Sequence, residues 1–129
     1  LGGKPAPGIG FGLGMERLML MLDAAGLEPP PSSPDAYALV PDAQALPRVM
    51  ATLDVLRAQG VSVLMHAGGG SMKSQFKRAD ASGAAFALIF GADELAAGQV
   101  AIKPLRGDST QFTRPLDNAA AWANELRTP

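Results

Sequence analysis

No cysteine occurs in the 129 residues. That absence excludes disulfides and thiolate metal sites, and it suits a reducing compartment such as the cytoplasm. A single histidine, His66, leaves no second imidazole to share a zinc ion, so no metal is expected. There is no G-x-S-x-G elbow through which His66 could activate a serine. An excess of one charge is missing too: 11 Lys and Arg face 12 Asp and Glu, a formal net charge of −1. This balance argues against a general electrostatic DNA binder and leaves only a local basic patch for nucleic acid. No apolar run approaches the ~20 residues needed to span a bilayer, so no membrane partner is expected. What is present is an ordinary globular composition, 47% hydrophobic, with length for one compact domain and little more.

Proline marks the main boundary. "LEPPPSSPD", Leu27 to Asp35, holds four prolines and two serines, which neither continue a helix nor enter a sheet. The reading is a linker over 28–35, a first segment over 1–27 and a domain over 36–129. The first segment is too short to bury a core of its own, and its opening "LGGKPAPG" reads as a cut partway through a larger protein.

Beyond the linker the pattern alternates. "AYALV" (36–40) predicts a buried strand. Asp42 then caps a helix with Val49, Leu53 and Leu56 at i, i+4, i+7, whose first turn is irregular or starts near Leu46 because of Pro47. Arg57 and Gly60 supply its end. "VSVLMH" (61–66) predicts a second strand, and "AGGGS" leads to a helix capped by Ser71 that stops near Gly83. "FALIF" (86–90) is the most apolar strand and the central one, while "QVAIK" and "TQFTR" form a pair around the turn "RGDS". A last amphipathic helix, "PLDNAAAWANEL", turns Leu116, Ala120 and Trp122 inward. The fold class is therefore α/β: a mixed five-stranded sheet with about three helices, its first three strands parallel.

"GIGFGLGMERLMLML", Gly8 to Leu22, carries the first chemical question. A dinucleotide fingerprint fails by spacing, because the sixth residue is Leu13 counted from Gly8 and Met15 counted from Gly10. A P-loop fails because no lysine follows. The period is two. In a strand, Gly8, Gly10, Gly12 and Gly14 share one bare face, and Ile9, Phe11 and Leu13 share a buried one. A bare face admits a flat ring or a phosphate, and Arg17 falls beside it in the first turn of the next helix. The alternative is a glycine-softened strand packed tightly against a core helix.

The same words resemble motif 3 of the class II aminoacyl-tRNA synthetases, a glycine-alternating strand followed by a helix with an "ER" pair. "LGGKPAPGIGFGLGMERL" resembles the histidyl-tRNA synthetase family in particular. The resemblance implies that residues 1–27 are the strand-helix remnant of an antiparallel-sheet catalytic domain. It also implies that Arg17 contacts ATP and that Gly12 and Gly14 floor the adenine site, with Glu16 structural.

The helix over "MKSQFKRADA" places Met72, Phe76 and Ala79 inward and Lys73 and Lys77 together beside them, with Asp80 one turn on. On spacing alone this is a solvated charged face steadied by a Lys77–Asp80 pair. The wording adds to that. "K-x-Q-F-K-x-A-D-x-S-G-A", then "G-x-D-E-L", then "G-x-V-x-I-K" resembles the anticodon-binding domain of the histidyl-tRNA synthetase family, with threonyl, prolyl and glycyl relatives more distant. On that resemblance Lys73, Gln75, Lys77, Arg78 and Glu94 are tRNA-binding residues: cations for phosphates, Gln75 and Glu94 for base edges. Arg78 stands where many relatives have Tyr.

The implied parent activates histidine with ATP and Mg2+, transfers it to histidine tRNA and works as a homodimer in the cytoplasm. The resemblance implies no cofactor for the anticodon-binding domain alone. The 129 residues by themselves are expected to be inactive, since motifs 1 and 2 and the histidine pocket have no counterpart here. Alternatives are a non-catalytic synthetase-like RNA-binding or regulatory module, the anticodon-binding domain of another class IIa synthetase, or a free-standing flavodoxin-like domain.

Overall fold

A computed structural model describes residue 3 and residues 7–27, 33–107 and 109–127. Residues 28–32 of the expected linker and most of the "LGGKPA" opening lie outside the described residues. Contacts divide the chain into two compact units, Leu1–Pro31 and Ser32–Pro129.

In the first unit, helix α1 spans Met15–Ala24. The glycine-alternating stretch before it is not the strand expected from its period: no strand is assigned between Pro7 and Gly14. A strand exists through its ladder, and none of the described residues supplies one to this stretch. Nor is its apolar face covered, since Ile9 is 104% and Phe11 97% exposed. Leu18 and Leu22, one turn apart on α1, are half-buried, and no residue of α1 is fully buried.

In the second unit, Asp35 precedes the first strand: its carboxylate accepts from the Ser62 backbone N–H at 2.8 Å and its carbonyl accepts from Ala85 and Phe86. Strand β1 (Ala36–Leu39) follows and is wholly buried. Asp42 then accepts from the Gln44 N–H, closing a 3₁₀ turn over Ala43–Ala45. Helix α2 (Leu46–Ala58) starts with Pro47 in its first turn, where a missing N–H costs nothing. Val49, Leu53 and Leu56 are all buried as their spacing requires. Gly60, at φ +83°, ends the helix, and Val61 N–H returns to the Leu56 carbonyl. That bond takes Val61 out of the sheet, so β2 is only Val63–Met65.

Helix α3 (Met72–Ala81), capped by Ser71, leads to β3 (Phe86–Ile89). A short helix α4 (Ala92–Ala96) follows, too short for its five residues to show a helical period in the sequence. Strands β4 (Gln99–Pro104) and β5 (Phe112–Pro115) form the antiparallel pair. The expected last helix is broken into a 3₁₀ turn, α5 (Ala119–Trp122) and a second 3₁₀ turn. Leu116 and Trp122 point inward as expected; Ala120 is exposed and Ala119 takes its place, a shift that follows from the 3₁₀ start of this segment.

Sheet order is β2-β1-β3-β4-β5, with β1 parallel to β2 and β3 and the remaining pairs antiparallel. β3 is central, as its apolarity predicts. Register decides the two faces. Met65, Ala38, Leu88, Ile102 and Phe112 form one cross-strand row, and all five pack in the larger core with residues of α2 and α5. The adjacent row, Leu64, Tyr37, Ala87 and Lys103, lies on the opposite face, where Tyr37 and Ala87 pack with Ala79, Met72 and Phe76 of α3.

Candidate nucleic-acid interface

Helix α3 is presented by an unusual loop. Gly68, Gly69 and Gly70 all have φ between +67° and +103°, a run that only glycine adopts without strain. The loop is anchored at two points. His66 Nε2 meets the Gly69 carbonyl at 2.8 Å, and Gln75 Nε2 donates to the Gly70 carbonyl at 3.1 Å. His66 is 6% exposed, and its Nδ1 lies 3.0 Å from the Tyr37 hydroxyl. Both ring nitrogens are therefore engaged within the fold. A cleft of about 350 Å³, lined by Val40, Pro41, Leu46, Met65, His66 and Gly68 among others, opens at the carboxyl ends of β1 and β2.

Three of the five expected RNA-contacting side chains share the outer surface of α3. Lys73, Lys77 and Arg78 are exposed, and none forms an ion pair among the described residues. The Lys77–Asp80 pair read from spacing is not formed. Asp80 is taken by Arg106, which donates from Nη1 to Oδ1 and from Nη2 to the Asp80 carbonyl, both at 2.8 Å. The one carboxylate of α3 is thus neutralised from outside the helix, leaving its lysines unquenched.

Gln75 does not belong with them. It is completely buried, its Oε1 accepts from Val40 N–H at 2.8 Å, and its Nε2 serves the Val40 and Gly70 carbonyls. Turning it toward a base would strand three backbone groups, so its expected base-reading role gives way to a structural one. Glu94 sits in the first turn of α4, half-buried, with its carboxylate folded over the Cα of Gly91. It stands after the carboxyl end of β3, separate in sequence and element from the α3 cations.

In the first unit, Arg17 is exposed in the first turn of α1. A Cβ added at Gly12 would meet nothing within 4 Å, and one at Gly14 only the Arg17 Cβ at 3.7 Å. These residues supply a guanidinium and an open backbone surface, but no enclosing cradle for a nucleotide.

The family profile described as anticodon binding domain matches residues 35–126. The chain belongs to this family. The histidine–tRNA ligase of Acidovorax ebreus (strain TPSY) is 55% identical across 99% of this chain, which spans 31% of that protein's length. The crystal structure of histidyl-tRNA synthetase from Nostoc sp. PCC 7120 superposes with a TM-score of 0.65 at 27% identity, over 88% of this chain and 28% of that one. The RNA binding domain of threonyl-tRNA synthetase from Cryptosporidium parvum Iowa II gives a TM-score of 0.66 at 14% identity, over 76% of this chain and 24% of that one. At that identity the likeness concerns the fold alone.

Two further cations of this anticodon binding domain reach α3 from β4 and the residues after it. Arg106 follows β4 and reaches Asp80; Lys103, in β4, places its ammonium 5.2 Å from the centroid of the Phe76 ring on α3. Alternation with buried Val100 and Ile102 puts Lys103 on the opposite face of β4, a signal present in the sequence. Which helix it meets there is set by strand order, which the sequence does not display.

Proposed function

We propose that this chain is the part of a histidine–tRNA ligase that holds the anticodon end of histidine tRNA. One observation carries the reading: in a domain of the anticodon binding family, the exposed face of α3 bears Lys73, Lys77 and Arg78 without a carboxylate partner among the described residues. Unquenched cations on one helix face attract phosphates from any direction and position an RNA loop, while base edges are read elsewhere. Glu94 is the candidate acceptor for a base amino group. In this reading the domain is residues 36–129, joined through 28–35 to a catalytic-domain remnant, 1–27.

The larger protein would be a cytoplasmic homodimer that activates histidine with ATP and Mg2+ and then charges its tRNA. Arg17 would meet phosphate oxygens there, with Gly12 and Gly14 leaving room for a flat base. When bound, ATP supplies the adenylating group. Arg17 contributes only charge and position, since a guanidinium is neither base nor nucleophile at neutral pH.

Titration of the full chain with the anticodon stem-loop of histidine tRNA tests the reading. Salt-sensitive binding that prefers the histidine anticodon over an unrelated loop supports it, and no binding at low salt overturns it. The chain alone should show no histidine-dependent exchange of pyrophosphate into ATP.

A further inference from the structure

The cationic surface of α3 does not end at the helix. Register places Lys103 opposite Ala87, which in turn pairs with Tyr37, so Lys103 continues the row of the sheet face that α3 covers. α3 packs over Tyr37 and Ala87 but leaves Lys103 exposed. Beside it, Ala101 pairs with Thr113 of β5, whose side chain is exposed on the same face. The Lys103 stem crosses back toward α3 until its ammonium stands over the Phe76 ring at 5.2 Å. Phe76, half-buried at the edge of the smaller core, lies one turn after Lys73 and one turn before Asp80 along the helix.

Electrostatics then favour this position. Asp80 is already neutralised by Arg106. Lys103 makes no ion pair among the described residues, and the aromatic face beneath it attracts a cation without cancelling its charge. The ring also narrows the range of positions open to a long side chain, so less entropy is lost when the ammonium meets an anion.

We propose that Lys103 is a phosphate-contacting residue, and that the RNA surface is composite, built from α3 and the exposed face of β4 and β5. This rests on the RNA-binding reading above. A stem-loop lying along α3 would then bring a backbone phosphate over the sheet, where Lys103 meets it, with Phe76 as the plate that holds the lysine in place.

The test is the salt dependence of binding of the histidine anticodon stem-loop by the full chain, for wild type and for Lys103→Met, Lys103→Arg and Lys73→Met. One phosphate contact to single-stranded RNA contributes a slope of about 0.7 in log K against log salt, which at 0.1 M salt is about fivefold in affinity. Lys103→Met is expected to bind about fivefold more weakly with its slope reduced by about 0.7, and Lys103→Arg to keep both. Wild-type behaviour of Lys103→Met beside weakened binding of Lys73→Met overturns this proposal and leaves the RNA-binding reading standing. Absence of binding by the wild type overturns both. Should Lys103→Met fail to fold, Thr113→Glu, which places a negative charge on the same sheet face at an exposed position, takes its place. Weaker binding supports the composite surface, and unchanged binding overturns it.

Discussion

Gln75 grips the backbone of Val40 from both sides: its Oε1 accepts from the Val40 N–H at 2.8 Å and its Nε2 donates to the Val40 carbonyl at 3.2 Å. The side chain thereby continues β1 past its last ladder partner, and the same amide ties down the Gly70 carbonyl. One buried glutamine joins β1, the glycine loop and α3.

Gln75→Leu, nearly the same size, should therefore destabilise the domain although it adds apolar surface. Leaving buried backbone groups without partners costs about 3 kcal/mol in all. For a domain of this size that lowers the melting temperature by roughly 15 °C. Thermal unfolding followed by circular dichroism checks it; a shift under two or three degrees would show that the amide is dispensable.

Lys77→Met should do the reverse. Lys77 is exposed and makes no ion pair among the described residues, so its loss leaves the melting temperature within about 1 °C. Binding of the anticodon stem-loop should weaken about fivefold at 0.1 M salt. Lowered stability with unchanged binding would place Lys77 in the scaffold instead.

Arg106→Ala tests the quenching of Asp80. With its guanidinium partner gone, the Asp80 carboxylate stands free beside the lysines of α3 and should weaken RNA binding a few-fold. Arg106→Ala combined with Asp80→Ala should restore it. A double variant no better than the single one would mean that Arg106 itself contacts RNA.

His66 should carry a hydrogen on Nε2. The Gly69 carbonyl can only accept, so Nε2 is the donor there, while the Tyr37 hydroxyl, able to donate or accept, partners Nδ1. Nitrogen chemical shifts of the ring distinguish the two tautomers directly. Tyr37→Phe, which leaves the buried Nδ1 without its partner, should cost about 1–2 kcal/mol in denaturant unfolding.

Much of this is legible in the sequence. Val49, Leu53 and Leu56 announce the buried face of α2 through their spacing, and "FALIF" announces the central strand through its unbroken apolarity. Ser71, Asp42 and Gly60 mark helix ends because capping is chemistry between near neighbours. The candidate site was half legible: the exposed cations of α3 follow from helical period, but the fate of Gln75 does not.

The part legible from the residues alone is local. Periodicity, capping and glycine conformation depend on residues within a turn or two of each other, so they place α2, α3, the five strands of the second unit and the cationic face of α3. Which side chains those elements bring together across the chain depends on how the sheet and helices pack. Gln75 is 35 residues from Val40, Arg106 is 26 from Asp80, and Lys103 meets Phe76 from another strand. Such pairs arise from strand order and register, which are chosen by how the whole apolar set is buried. The same reason explains Gly8 to Gly14: a period of two offers one face for burial, but a strand forms only where a partner completes its ladder.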